Sequence, residues 1–213
     1  MTHMAPWPRR TGALLLLAAA GCAGEAGDDA PPAAQAARAP ASDTEVDPQE
    51  LPNPFVVSDS TFGQEAAGRE FGAASAIYPA PDGESIWVAE RCGANICVER
   101  EIDPVMRFDL EGDLLASFGA GLFAWPHGMF VENDGSVWVA DATGYAEVPP
   151  GWGHVVYKFS PEGEVLMTLG ERGVPGDDET HFAKPSDVLV APDGSIFVAD
   201  GHDAGGNNRV VKL

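Results

Sequence analysis

The sequence predicts an all-β fold built from repeated units of four short strands. Three segments, 81–90, 133–141 and 192–200, share Asp-Gly followed by Ile or Val, an aromatic residue, Val, Ala and an acid. Asp-Gly favours a tight turn, and the apolar run behind it has high strand propensity. The repeats lie 52 and 59 residues apart. Such spacing is typical of β-propeller blades with loop insertions, whereas a sandwich of regular hairpins would not reproduce the same sequence motif in each unit.

Other short apolar runs supply the remaining strands of each unit. Segments 128–131 and 187–190 precede two of the turns and predict the first strands of their units. The predicted third strands are 105–108, 155–159 and 210–213, and the predicted fourth strands are 112–118 and 163–169. Trp87, Trp138 and Phe197 share one repeat position, where we expect core packing between neighbouring blades.

Residues 53–213 make about three such units, whereas propellers close with about four to eight blades. The last unit reaches only its third strand. Because an open stack of blades leaves its end faces uncovered, we expect this chain to be the N-terminal part of a longer propeller.

Residues 1–22 predict an export signal. Arg9 and Arg10 precede an apolar run from Ala13 to Ala20, which is too short to span a membrane but suits a signal-peptide core. The ending Leu-Ala-Ala-Ala-Gly-Cys resembles the lipobox of bacterial lipoproteins. This resemblance implies lipidation of Cys22 and anchoring at the bacterial cell envelope; an ordinary secretory leader is the alternative.

Residues 23–52 are rich in Ala, Pro and acids and predict a disordered linker, because they cannot bury enough apolar surface to offset their chain entropy. The whole chain has 12 Lys+Arg against 33 Asp+Glu, a formal net charge of −21. This charge disfavours nucleic-acid binding and electrostatic docking on anionic lipid. We therefore expect a small-molecule or peptide substrate, and membrane contact only through the N-terminal lipid.

The repeats resemble NHL repeats, which have an apolar strand, Asp-Gly, a Val-aromatic-Val-Ala-Asp strand and an Asn-x-Arg-Val ending. That pattern is carried by Trp-Pro-His-Gly-Met-Phe-Val at 125–131, Lys-Pro-Ser-Asp-Val-Leu-Val at 184–190 and Asn-Asn-Arg-Val-Val-Lys at 207–212. NHL repeats by themselves imply only a propeller.

A narrower resemblance covers the chain from about Ser75 onward. Pro-His-Gly at 126–128, and segments 154–159, 175–187 and 198–209, are similar to the peptidyl-α-hydroxyglycine α-amidating lyases, also called peptidylamidoglycolate lyases. The resemblance implies a six-bladed propeller with C–N lyase activity, a zinc ion in the central channel and a calcium ion deeper in it.

His127 stands at the entry to the innermost strand of its blade, and inner strands of a closed propeller face one axis. Together with histidines from other blades it could complete a tetrahedral metal site, whereas a lone His is usually only hydrogen-bonded. The lyase resemblance implies zinc at His127. It also implies that the main-chain carbonyls of Ile77 and Met129 hold the calcium.

Arg91 and His202 are the predicted catalytic residues. Arg91 follows a second strand where the sister blades carry Ala142 and Gly201, and the resemblance implies that it organises the reacting hydroxyglycine. A pairing of Arg91 with nearby Glu90 or Glu99 is the alternative. His202 stands where the lyases have a catalytic tyrosine; it could act as acid or base nearer neutral pH, or the activity could be lost or changed.

Cys92 and Cys97 are the only cysteines after Cys22. In an exported protein this short loop favours a disulfide, worth about 2 kcal/mol on the loop-entropy model. A metal site built from only two cysteines at this spacing is a weaker alternative.

Two function classes stay open at this point. One is a metal-dependent lyase acting on a small hydroxylated substrate at the cell envelope. The other is a non-catalytic propeller that binds a ligand or a protein on its blade face. The fold alone does not choose between them.

Overall fold

Three antiparallel sheets follow one another along the chain in the computed structural model, which describes residues 52–144 and 148–213. A one-turn helix, α1 (Gln64–Ala67), precedes them. Blade 1 contains β1 (Ala74–Pro79), β2 (Ser85–Glu90), β3 (Val105–Asp109) and β4 (Leu114–Phe118). Blade 2 contains β5 (Trp125–Val131), β6 (Val137–Ala142), β7 (Val155–Phe159) and β8 (Val165–Leu169). Blade 3 contains β9 (Pro185–Val190), β10 (Ile196–Asp200) and β11 (Arg209–Lys212).

Each sheet has the strand order of a propeller blade. Successive strands pair antiparallel within every blade, and β5 contacts both β1 and β9, so the first strands of the three blades lie side by side. The Asp-Gly motifs form the predicted turns between the first and second strands. In these turns Asp82, Asp134 and Asp193 accept hydrogen bonds from main-chain N–H groups. The described residues therefore form three blades of a β-propeller.

The repeated aromatic position supports the packing between blades. Trp87 is 1% exposed and lies in a core cluster formed by blades 1 and 2, and Trp138 is 2% exposed in a cluster formed by blades 2 and 3. Both confirm the predicted core role. Phe197 is only half-buried, and the ammonium group of Lys212 lies 5.6 Å from its ring centre.

A buried carboxylate closes the second strand of every blade. The acids at the last position of the repeated motif are Glu90, Asp141 and Asp200, and none of them is more than 1% exposed. Each accepts a hydrogen bond from the main chain that enters the first strand of its own blade. The donors are the N–H groups of Gly72 to Glu90, of Ala124 and Trp125 to Asp141, and of Ala183 to Asp200. These bonds fix the edge of the blades at which the candidate functional residues lie.

The first part of the domain differs from a simple repeat. The strand β1 has no counterpart among the runs that the sequence predicted, and residues 59–73 lead into it through turns and α1.

No helix in the described part of the chain is long and apolar enough to span a membrane. The leader 1–22, Cys22 and nearly all of the linker 23–52 lie outside the described residues, so their assignments stay predictions.

Candidate functional site

Four side chains from three blades meet at the edge where the second strands end. The guanidinium carbon of Arg91 lies 3.4 Å from the ring centre of Trp125. The centre of the Trp125 ring system is 5.2 Å from the imidazole of His127 and 4.9 Å from that of His202. The two imidazole centres are 4.7 Å apart. Three residues that the sequence singled out separately are thus brought together around a tryptophan that it did not.

Asn95 and Pro126 of the neighbouring segments help to hold Arg91 in place. It is 9% exposed, and its Nη1 atom donates a hydrogen bond to Oδ1 of Asn95 at 2.6 Å. Its Nε atom donates to the carbonyl oxygen of Pro126 at 3.3 Å. The carboxylate of neighbouring Glu90 is instead 2.6 Å from Nη2 of Arg69. These contacts orient the guanidinium of Arg91 toward the other blades.

The predicted disulfide is present between Cys92 and Cys97. It closes the loop that carries Asn95, and the N–H group of Cys97 donates to the carbonyl of Ala124 at 2.8 Å. Both cysteines are buried. The loop is therefore fastened to blade 2 next to Trp125.

His127 projects from an irregular part of β5. The pairing of β5 with β6 shifts between Pro126 and Met129, and such bulges change the direction of a side chain. At the next residue, Gly128, a Cβ atom would lie 2.1 Å from Oδ1 of Asp187, so only glycine allows blades 2 and 3 to approach this closely. Burial, and then the nearby charge of His202, lower the pKa of His127. The neutral imidazole is therefore favoured near pH 7.

His202 follows β10 after a glycine that the backbone requires. Gly201 has φ = 144°, and a Cβ atom there would lie 2.5 Å from the main-chain nitrogen of Asn208. The Nδ1 atom of His202 is 3.6 Å from Oδ2 of Asp203, whose other oxygen is 2.7 Å from Nζ of Lys184. The imidazole of His202 thus lies near the Asp203 carboxylate as well as near His127 and Trp125.

The two residues predicted to hold calcium occupy equivalent positions on neighbouring inner strands. Ile77 pairs with Val88, and Met129 pairs with Val139. Ile77 is 68% exposed and Met129 is 6% exposed. Their role as main-chain ligands stays a prediction.

The described residues contain no group of three or more His, Cys, Asp or Glu side chains close enough to hold a metal ion. Zinc in proteins usually has four ligands, of which imidazole nitrogen is a common one. The paired imidazoles of His127 and His202 fit that donor chemistry only in part. The lowered pKa of His127 favours the neutral imidazole that ligates a metal.

Sequence reasoning missed Trp125, Asn95 and Asp203. Trp125 directly precedes the Pro-His-Gly motif, but its contact with Arg91 depends on how blades 1 and 2 pack. Asn95 and Asp203 are polar residues in loops, and their partners become visible only when the loops are closed. The Asp203–Lys184 pair spans 19 residues.

No family model matches the chain. Curated relatives do match it over about half of its length or more. A probable peptidyl-α-hydroxyglycine α-amidating lyase of Caenorhabditis elegans is 43% identical over 104 residues, which is 48% of this chain and 26% of that protein. A second lyase, peptidyl-α-hydroxyglycine α-amidating lyase 2 of Drosophila melanogaster, is 31% identical over 103 residues, covering 48% of this chain and 22% of that protein.

The chain is related to peptidyl-α-hydroxyglycine α-amidating lyases. It is also 33% identical to NHL repeat-containing protein 3 of Mus musculus over 133 residues, or 60% of this chain and 34% of that protein. The chain spans about a third or less of the length of these relatives.

Two solved structures are similar to the described part at low identity. A gluconolactonase of Xanthomonas campestris matches 62% of this chain and 36% of its own, with a TM-score of 0.40 and 15% identity. A structural-genomics protein of Bacteroides thetaiotaomicron matches 67% of this chain and 33% of its own, with a TM-score of 0.44 and 18% identity.

Proposed function

We propose that the protein is an exported, lipid-anchored lyase that cleaves the C–N bond of an α-hydroxyglycine at the end of a peptide. The observation that carries the proposal is the convergence of Arg91, His127 and His202 around Trp125. The similarity to proteins named as lyases for that substrate supports it.

Arg91 binds the substrate carboxylate in this proposal. A guanidinium offers parallel N–H donors that match the two oxygens of a carboxylate, which an ammonium group cannot copy. Its burial raises the strength of such a contact, since less water competes for the charge. The face of Trp125 fixes the plane in which the guanidinium lies.

His202 handles the proton in place of the tyrosine. Its imidazole accepts the proton of the substrate hydroxyl group, a C=O bond forms, and the C–N electron pair moves to the amide nitrogen. The same imidazole returns the proton to that nitrogen. The products are a peptide amide and glyoxylate, and no proton is gained or lost overall. Imidazole is a common proton acceptor and donor in enzymes that act near neutral pH.

His127 is the residue of this chain that would hold a zinc ion, and Ile77 and Met129 would hold a calcium ion through their carbonyls. Bound zinc would supply Lewis-acid chemistry that makes the substrate hydroxyl group more acidic. The neutral state of His127 favours its service as a nitrogen ligand.

The export signal and Cys22 place this activity at the cell envelope in the proposal. A lipid on Cys22, followed by the acidic linker 23–52, would hold the propeller away from the membrane surface. The net charge of the whole chain, −21, disfavours adsorption of the protein to anionic lipid.

The test is release of glyoxylate from an α-hydroxyglycine peptide by the zinc-loaded protein. Arg91→Lys should raise KM roughly 10–100-fold, because the two-pronged contact with the carboxylate is lost. His202→Ala should lower kcat by roughly 10²–10⁴-fold, because the proton-transfer group is removed.

His181→Ala is the matched control, since His181 lies outside the site and pairs with Asp178. It should leave both kinetic constants unchanged. Absence of glyoxylate release by the wild-type protein would refute the lyase assignment and favour a binding propeller.

A further inference from the structure

Asp203 lies between His202 and a lysine of the same blade. The Oδ1 atom of Asp203 accepts a hydrogen bond from Nζ of Lys184 at 2.7 Å. The same ammonium group donates to the carbonyl of Ala204 at 3.0 Å. The side chains of Lys184 and Asp203 are only 18% and 13% exposed. Two bonds from one largely buried cation thus fasten the loop that follows β10 to the residue before β9.

The backbone of this loop is tightly folded on both sides of Asp203. Asp203 has φ = 61°, a left-handed conformation that aspartate adopts more readily than most residues. Its carbonyl accepts a hydrogen bond from the N–H group of Gly206 at 3.3 Å. At Gly206 a Cβ atom would lie 2.5 Å from Cα of Gly201, so the two ends of the loop are in contact. These constraints hold the carboxylate of Asp203 in one place.

The second oxygen of this carboxylate, Oδ2, is turned toward His202. It is buried, and no group among the described residues donates a hydrogen bond to it. Native structures contain few such buried oxygens, because leaving them without a donor is costly. The Nδ1 atom of His202 lies 3.6 Å away, just beyond hydrogen-bond distance. Contacts between catalytic groups are often this long before the substrate binds and shorten in the reacting complex.

The ionised state of Asp203 determines which nitrogen of the imidazole can face it. The hydrogen bond from Lys184 is the main cause that lowers the pKa of Asp203, against the opposing effect of burial. An ionised carboxylate can only accept hydrogen bonds, whereas a neutral imidazole has one nitrogen that donates and one that accepts. The nitrogen next to Oδ2 is therefore favoured as the one that carries the hydrogen.

We infer that Asp203 is a positioning residue that holds His202 with its Nδ1–H group toward Oδ2, so that Nε2 is the nitrogen that accepts the proton of the substrate hydroxyl group. The inference rests on the proposed function, in which His202 handles that proton. Asp203 itself does not touch the substrate. It fixes the tautomer of the imidazole and balances the positive charge that His202 gains when it takes the proton.

Nitrogen NMR of the full chain with 15N-labelled histidine measures the tautomer without any substrate or added metal. The spectra are recorded in mildly alkaline solution, in which imidazole groups are neutral, and His202→Ala identifies the signals of His202. The wild type should show the hydrogen on Nδ1. In Asp203→Asn the amide can donate to Nδ1, so the hydrogen should move to Nε2. Thermal melting of each variant shows that it is folded.

Glyoxylate release by the zinc-loaded protein supplies the second measurement. Asp203→Asn should lower kcat roughly 10–1000-fold, because Nε2 can no longer accept a proton in the wrong tautomer. The KM should stay within about threefold, since Asp203 makes no contact with the substrate. Asp203→Ala removes the carboxylate without adding a donor, so its loss of kcat should be smaller. A purely structural role predicts the reverse order, because asparagine has nearly the shape of aspartate and can still accept the bond from Lys184.

Asp178→Asn is the matched control. It makes the same change at a carboxylate that lies 2.9 Å from Nδ1 of another histidine, His181, outside the site. It should leave kcat, KM and the signals of His202 unchanged. Should Asp203→Asn not fold, Asp203→Ala carries the test, because a mixture of His202 tautomers supports the inference and an unchanged Nδ1–H tautomer overturns it.

An Asp203→Asn protein in which His202 keeps the wild-type tautomer overturns the inference, as does a loss of kcat no greater than that of Asp203→Ala. A wild type with the hydrogen on Nε2 overturns it as well. A wild type that releases no glyoxylate but shows the change of tautomer refutes the lyase assignment and leaves the control of His202 by Asp203 standing. Release of glyoxylate with an unchanged tautomer does the reverse.

Discussion

Asp141 in blade 2 and Asp200 in blade 3 occupy the same position of the repeat but have different electrostatic surroundings. Opposite Asp200 in the strand pairing is Arg209, whose Nε atom lies 2.9 Å from the carboxylate. Opposite Asp141 is Val155, and burial raises the pKa of Asp141 to about 7 against the opposing hydrogen bonds from Ala124 and Trp125. One residue type thus has one backbone role in two different charge environments.

Blade 1 also pairs its buried carboxylate with an arginine, but that arginine comes from a different part of the chain. Its carboxylate is Glu90, and the cation comes from Arg69, which precedes β1 and stands outside the repeat. Two blades therefore join a buried carboxylate to an arginine, whereas Asp141 of blade 2 has no direct ion pair among the described residues. The repeat specifies the backbone contacts of these acids, and residues outside it determine their charge.

The largest effect is expected from Asp200→Asn. The amide oxygen can still accept the N–H bond of Ala183, but Arg209 loses its buried partner. Removing one member of a buried pair costs 3–5 kcal/mol, and the 30% exposure of Arg209 reduces this to about 3 kcal/mol. Urea denaturation at pH 7 measures the loss. A smaller loss of stability for Asp200→Asn than for Asp141→Asn would contradict the proposed difference between the two aspartates.

Asp141→Asn should instead change the pH dependence of stability. The folded pKa of about 7 lies above the ordinary value of 3.8, so the folded state binds the proton more tightly. The stabilisation that this gives is complete below about pH 4 and is lost as the pH rises through 7. The wild type should therefore lose about 2–3 kcal/mol between pH 5 and pH 8 that the variant does not lose.

Urea denaturation of both proteins at the two pH values supplies the measurement. The exposed aspartates of the Asp-Gly turns have lowered pKa values and titrate in more acidic solution, and they are the same in both proteins. Equal slopes for wild type and variant would show that Asp141 is ionised throughout this range.

Arg69→Met should remove the arginine partner of the buried carboxylate in blade 1. We expect a smaller loss of stability than for Asp200→Asn. Glu90 keeps its hydrogen bonds from the N–H groups of Gly72 and Gly93 but loses the cation. Because the fully buried Glu90 would lose its cation but keep these two hydrogen bonds, and because Arg69 is 22% exposed, we expect a cost of about 2 kcal/mol at pH 8.

Arg107→Met is the control for that variant, since Arg107 pairs with the partly exposed Asp82. Its expected cost, measured by the same denaturation at pH 8, is within about 0.5 kcal/mol. A larger loss for Arg107→Met than for Arg69→Met would reverse the expected ranking of buried over surface pairs.

Much of the fold could be predicted from the repeated sequence motif, because the preferences of residues for turns and strands are local. Strand β7 has the predicted bounds, and the Asp-Gly turns lie where the sequence placed them. Strand β1 was missed because its Ala-Ser-Ala-Ile-Tyr-Pro sequence has weak alternation and is half exposed. The burial of Glu90, Asp141 and Asp200 was also missed, because a terminal acid in a strand usually faces water.

The site could be predicted only as separate residues. Arg91, His127 and His202 came from their repeat positions and from the lyase resemblance. Their meeting depends on the packing of three blades, and the ring of Trp125 between them depends on the irregular pairing of β5. Main-chain ligands such as those expected at Ile77 and Met129 have no side-chain signal in any sequence.

The distribution of the site over three blades also determines when it can exist during synthesis. About a hundred residues separate Arg91 from His202, and at 5–20 residues per second a ribosome needs roughly 5–20 s to add them. The loop closed by Cys92 and Cys97 is made at the beginning of that interval, and its two thiols are only a few residues apart. The ribosome therefore adds every residue of the arginine loop well before it adds His202.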